Sequence, residues 1–203
     1  MHKQLSILFL ILSSWNISAD ILKYEFKDWS GSPLITYVAK PSKINAATRL
    51  VVVIHGRKRN AEEYRNQWVK ASKDLNLLVI VPEYSHEDFA EVWGFNYGNI
   101  KSKTLEPISK DLHAFSTIEP LVNNALNKFK LKSDHWGIYG HGAGAHFVHR
   151  YLLHHPEDSH TLAIAANLGW YLSLTDQEWP FGLKNSEITN SHLQKSFSKY
   201  FLL

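Results

Sequence analysis

Cysteine is absent from the 203-residue chain, which excludes disulfides, thiolate metal centres and a cysteine nucleophile together. Charge of one sign is also lacking. The formal net charge is only +3, too small and too evenly spread for a nucleic-acid surface. Long apolar runs are missing as well. The one near the start, Leu5 to Leu12 broken by Ser6, is shorter than the ~20 residues that a membrane span needs. No repeat, low-complexity tract or linker interrupts the remainder. With 44% hydrophobic and 20% charged residues, the composition is that of an ordinary globular domain. Histidine is abundant at 12, so the charge climbs below about pH 6.5, the ordinary imidazole pKa.

The short apolar run reads as an export signal: His2 and Lys3 precede it, and Ile17-Ser18-Ala19 supplies small residues for cleavage. Residues 1–19 are therefore expected to be a signal peptide and 20–203 a single domain, secreted or periplasmic and not held to a membrane once the signal is removed. A buried amphipathic N-terminal helix is the other reading of the same run.

Alternating and β-branched runs predict strands over Ile21–Trp29, Leu34–Ala39, Leu50–Ile54, Leu77–Val81, Trp136–Tyr139 and Thr161–Ala166. Helical spacing predicts helices from Asn60 to Leu75, from Ala114 to Lys130 and from Ala143 to His154. Asn60 and Glu63 have the spacing of a capping box. The stretch between Glu83 and His113 reads as a long irregular loop rich in aromatics. Strand alternating with helix argues for an α/β fold with a mostly parallel sheet flanked by helices.

The segment with chemical content is Gly140-His141-Gly142-Ala143-Gly144, between a predicted strand and a predicted helix. A nucleophile elbow, G-x-S-x-G, occupies that place in serine hydrolases. Its middle residue presents a hydroxyl, and the next backbone N–H helps bind the oxyanion. Here the middle residue is Gly142, which has no hydroxyl. The alternative is a glycine-rich βα turn that cradles phosphate. It is not a P-loop, since no G-K-[ST] follows.

Taken with IHGRKRNAEEYRNQW (54–68), VPEYS (81–85), GHGAGAHFVHRY (140–151) and AANLGWY (165–171), the chain resembles bacterial α/β-hydrolases of the poly(3-hydroxybutyrate) depolymerase and esterase-like type. The resemblance implies an α/β-hydrolase-like fold and an ester-hydrolase lineage. It places the family serine at position 142 and oxyanion donors at Ala143 and around Gly56 and Arg57. It also implies an acid and a histidine after later strands, and the chain reaches Leu203 before them. The expectation is a C-terminally truncated domain, inactive as a serine hydrolase, whose new sheet edge invites self-association.

Asp176, Glu178 and His192 are the upstream residues that could replace those partners. They read more simply as solvated loop and surface side chains. Trp93, Trp170 and Tyr171, with Phe95, Tyr97 and Trp179, are candidates to line a cleft for an ester, acyl or hydroxyalkanoate ligand, or equally to pack a loop. His146 and His149 lie one helical turn apart, but no HExxH or comparable pattern accompanies them, so no metal and no cofactor is expected. The run Arg57-Lys58-Arg59 reads as a solvated loop face. A non-catalytic binder and a residual metal-assisted hydrolase stand as the other functional readings.

Overall fold

The computed structural model describes residues 21–198 and 200–202. The expected signal peptide, 1–19, lies outside the described residues. Among those described, no helix is long and apolar enough to cross a membrane.

Seven strands among the described residues form one sheet: β1 (Ile21–Phe26), β2 (Leu34–Ala39), β3 (Arg49–Ile54), β4 (Leu77–Pro82), β5 (Trp136–His141), β6 (Leu162–Ala166) and β7 (Tyr200–Leu202). Their order is β1-β2-β4-β3-β5-β6-β7. β1 and β2 are antiparallel to each other, and β2 is antiparallel to β4. The remaining pairs, from β4 to β7, are parallel. The fold is thus the expected mostly parallel sheet with helices on both faces.

Among the described residues five α-helices accompany it: α1 (Ala61–Asp74), α2 (Glu91–Gly94), α3 (Ile118–Lys128), α4 (Ala143–His154) and α5 (Asn190–Phe197). The period-2 alternation of the central strands decides what each face carries. Val53 of β3 and Val79 and Val81 of β4 point to the side covered by α1, where Tyr64, Trp68 and Val69 meet them. Leu50, Val52 and Ile54 of β3, with Leu78 and Ile80 of β4, point to the opposite side. There they join Leu121, Val122, Phe147 and Tyr151 of α3 and α4 in the larger core.

Four details differ from the sequence expectation. β1 ends at Phe26, three residues short of Trp29. The capping box is not formed: Asn60 precedes α1, but its side chain donates to the Glu63 carboxylate instead of accepting a backbone N–H. The predicted helix over 114–130 begins as a 3₁₀ turn, Ala114–Thr117, and becomes α-helical only from Ile118. The stretch from Glu83 to His113 is no loose loop. It holds α2 and a 3₁₀ turn at Lys110–Leu112, and it buries Phe89, Phe95, Tyr97 and Ile100 in the larger core. Aromatic burial of that kind offsets the entropy of ordering so long a connection.

Candidate functional site

β5 lies between β3 and β6, so its C-terminal end opens at the middle of the parallel sheet, where such sheets carry their sites. The chain leaves β5, turns at Gly142 and enters α4 at once. Gly142 has φ +58° and ψ −116°, in the half of the map that residues with a Cβ avoid. Its N–H donates to Ala166 O on β6 at 3.1 Å, and its carbonyl accepts from Ala145 and His146 at 3.1 and 3.2 Å. The flanking glycines answer to a different demand. A Cβ on Gly140 would lie 2.2 Å from the Gly144 carbonyl oxygen, and one on Gly144 would lie 2.2 Å from Ile54 O. The start of α4 is thus pressed onto the ends of β5 and β3. At Gly142 itself an added Cβ meets nothing within 4 Å. That position opens into a cleft of about 780 Å³.

The cleft wall opposite α4 comes from the loop after β3. His55 is fully buried there, and both ring nitrogens are used. Nδ1–H donates to Gly56 O and Nε2 accepts from Tyr84 N–H, each at 3.0 Å. Burial pushes the His55 pKa down to about 3, so the ring is neutral and its tautomer is set by those two bonds. Gly56 packs under the Tyr64 ring, where a Cβ would sit 2.7 Å from the hydroxyl. Arg57 is exposed and lines the cleft.

Arg59 departs from the solvated-face expectation. With φ +57° it turns inward and is only 7% exposed. Its guanidinium lies 3.9 Å from the Phe95 ring centroid and donates to the carbonyls of Tyr84, Phe89 and Glu91 at 3.0, 3.0 and 3.1 Å. One cation therefore gathers the aromatic connection against the sheet and helps form the cleft wall.

α4 shapes the other side. His146 Nε2 accepts from Gly169 N–H at 3.3 Å, and His149 Nε2 accepts from Leu172 N–H at 3.1 Å. Arg150 donates to Pro180 O at 3.1 Å. The two histidines pin the loop after β6 to α4, a use that sequence spacing alone does not reveal. Burial, reinforced by the neighbouring Arg150 charge, lowers His146 to about 4 and His149 to about 3. Among the described residues, no group of three or more His, Asp or Glu is placed to hold a metal ion.

The structure brings Gly142, Ala143, Arg57 and Trp170 to one cleft, with the Trp170 ring tilted 46° to that of His146 at 4.1 Å. Gly140, Gly144 and Gly56 shape the turns beneath it. His141 is exposed at the end of β5, with Nε2 3.4 Å from the Asn167 amide. Two expectations are corrected. Trp93 packs in an aromatic group with Tyr97 and Trp179, at 5.3 and 5.9 Å, and does not line the cleft. Tyr171 is turned edge-on to His149 and likewise does not line it. His86, Glu91, Asn96 and Asn167 do line it. They are scattered over loops with no motif to mark them. The upstream polar residues stay apart from Gly142. Asp176 is exposed, Glu178 pairs with Lys184 at 2.6 Å, and His192 faces a separate cavity.

No family model and no curated protein sequence matches the chain. Among solved structures, poly(aspartic acid) hydrolase-1 from Sphingomonas sp. KT-1 is 34% identical with a TM-score of 0.84. That match covers 88% of this chain and 68% of that one. The poly(3-hydroxybutyrate) depolymerase LpqC from Bordetella parapertussis is 26% identical with a TM-score of 0.76, over 87% of this chain and 61% of that one. A fluorophosphonate-binding serine hydrolase from Staphylococcus aureus shares the fold at 16% identity and a TM-score of 0.55, over 88% of this chain and 71% of that one. The strand order, the turn at Gly142 and these likenesses lead to one conclusion: the chain belongs to the α/β-hydrolase superfamily, beside its depolymerase- and esterase-like members.

Proposed function

We propose that the chain is an exported, esterase- and depolymerase-like α/β-hydrolase family protein that holds ester or acyl ligands in the cleft at Gly142 without serine-dependent turnover. The observation that carries this reading is Gly142 itself. Its backbone lies at φ +58° at the start of α4, its side-chain direction opens into the cleft, and it has no hydroxyl to attack a carbonyl. Removing the nucleophile from a complete serine hydrolase costs about 10⁶ in turnover.

Binding does not need the hydroxyl. The first two N–H groups of α4, those of Ala143 and Gly144, have no acceptor within the helix and lie at its positive end. With the backbone around Gly56 and Arg57, they supply donors for a ligand carbonyl oxygen. Trp170 gives an apolar wall for an acyl chain. The names of the relatives, a poly(aspartic acid) hydrolase and a poly(3-hydroxybutyrate) depolymerase, favour short oligomers with repeated carbonyls as ligands. Export rests on residues 1–19 alone.

The test is hydrolysis of p-nitrophenyl butyrate beside a thermal-shift titration with methyl 3-hydroxybutyrate and its short oligomers. The expected result is hydrolysis at the buffer rate together with a saturable rise in Tm. Turnover by the chain sinks the inactive reading, and if a chelator abolishes it, a metal-assisted hydrolase takes its place. A flat titration sinks the binder.

A further inference from the structure

The geometry points to a proton-operated latch on the far side of α4 from the elbow: a histidine-lined cavity that holds α5 docked while its rings are neutral and releases it when they take up protons. The cavity is about 260 Å³ and is lined by His113, His154, His155, His192, Lys110 and Glu187. These residues come from three separate pieces of chain. His154 and His155 end α4, His192 stands on α5 with Glu187 just before it, and Lys110 and His113 belong to the turn ahead of α3. Two of the ring nitrogens, Nε2 of His154 and Nδ1 of His192, are shielded from solvent with no hydrogen-bond partner among the described residues. At His154, a buried imidazole in that state tolerates being neutral but has no acceptor for a second ring proton at Nε2.

The charges around the cavity make protonation worse. His154 feels His155, His113, His192 and Arg150, all of which oppose a proton on it. His155 feels Lys110, His113 and His192 in the same sense. The acids are fewer and offset. Glu187 and Asp111 act on His113, whose Nε2 already bonds Ile108 O at 2.8 Å, and Asp158 sits 3.7 Å from His155 Nδ1. Burial is the first cause in each case, and it lowers His154 to about 3 and His155 to about 4. Separating the three pieces lets water in and removes the repulsion.

α5 is the piece suited to move. It has eight residues and buries only Ser196, whose hydroxyl donates to Leu152 O at 2.6 Å. Lys195 pairs with Glu157 at the surface. An element with so few buried contacts opens at low free energy, well below unfolding of the whole domain. Each histidine that is neutral when docked and has its ordinary pKa of about 6.5 when undocked multiplies the opening equilibrium about fourfold between pH 8 and pH 6. His154 and His155 together give about 16-fold.

Amide hydrogen exchange on the full chain tests this, with rates at pH 8 and pH 6 corrected for the intrinsic pH dependence. The expected result is that α5 amides exchange faster than those of α4 at both pH values, are insensitive to low urea, and accelerate about 16-fold at pH 6. In His154→Gln the acceleration falls to about fourfold, and His155→Gln gives the same reduction if the first variant does not fold. The latch is overturned if α5 exchange is independent of pH, if it matches α4 throughout, or if the variant keeps the full acceleration.

Discussion

The backbone N–H of Tyr84 donates to Nε2 of His55 at 3.0 Å, joining the residue after the end of β3 to the connection that leaves β4. The other ring nitrogen holds Gly56 O, so one neutral imidazole sets the backbone from which Arg57 enters the cleft. His55→Ala leaves the buried Tyr84 N–H without its acceptor and removes a ring stacked 4.8 Å from Phe95, while Gly56 O keeps the Arg59 N–H at 3.1 Å. An orphaned buried N–H costs about 1–3 kcal/mol and the lost ring packing adds to it, so a loss of about 2–4 kcal/mol is expected. Urea unfolding with an unchanged m-value checks it, and a loss below about 1 kcal/mol shows that the ring is replaceable.

The three glycines of the elbow separate under alanine scanning, because they are glycine for different reasons. Gly140→Ala and Gly144→Ala each drive a methyl to 2.2 Å from a carbonyl oxygen, so the start of α4 has to lift from the sheet. Losses of about 3 kcal/mol or more are expected for both. Gly142→Ala and Gly142→Ser meet no atom within 4 Å and pay only for positive φ, about 1–3 kcal/mol. A domain of this size then melts roughly 2–12 °C lower, at about 2–4 °C per kcal/mol. Calorimetry on the four variants decides it, and an equal response at all three positions removes the distinction.

Arg59→Lys is not a conservative change here. Lysine cannot reach three carbonyls in three directions or lie flat on Phe95. The expected outcome is a destabilisation of about 2–4 kcal/mol, with the polar carbonyls left short of donors. The segment from Tyr84 to Glu91 also becomes open to protease. Limited proteolysis followed by mass mapping reads this directly. Cleavage no faster than in the parent chain argues that the aromatic packing of Phe89 and Phe95 holds the segment without the guanidinium.

The parts of this protein legible from sequence are those set by local pattern. Leu50 to Ile54 and Leu77 to Val81 announce buried parallel strands because both faces need apolar side chains, and the structure has them as β3 and β4. The bounds of α4 follow from its amphipathic spacing and the glycines ahead of it. What escaped depends on partners far along the chain. Arg59 looked like any solvated arginine until its positive φ turned it onto Phe95, thirty-six residues on. Trp93 is at home with Trp179, a contact no window of sequence contains. His146 and His149 had helical spacing but no visible use, because the N–H groups whose hydrogen bonds they accept belong to the backbone of another loop. The Asn60–Glu63 spacing was right and the geometry was not, since the side chain of Asn60 found the carboxylate first.

The buried histidines also set how the whole domain responds to acid. Burial holds His55, His149 and His154 at about 3 and His146 and His155 at about 4, against about 6.5 in the unfolded chain. Above pH 6.5 both states leave these rings neutral, and they contribute no pH dependence. Below it the unfolded chain takes up protons that the folded one refuses, so stability is lost as pH falls from 6.5 toward the folded values near 4 and 3. Each ring costs about 1.4 kcal/mol per pH unit across that window. By pH 5 the loss is about 2 kcal/mol for each, and five together rival the ~5–15 kcal/mol that holds a typical domain. The chain is therefore expected to be evenly stable from pH 8 to 7, to weaken steeply below about 6.5, and to unfold without denaturant by about pH 4.5. Urea midpoints across this range measure it. Constant midpoints from pH 7 to pH 5 would mean that these rings find acceptors for their protons inside the fold, and the latch at His154 would fall with them.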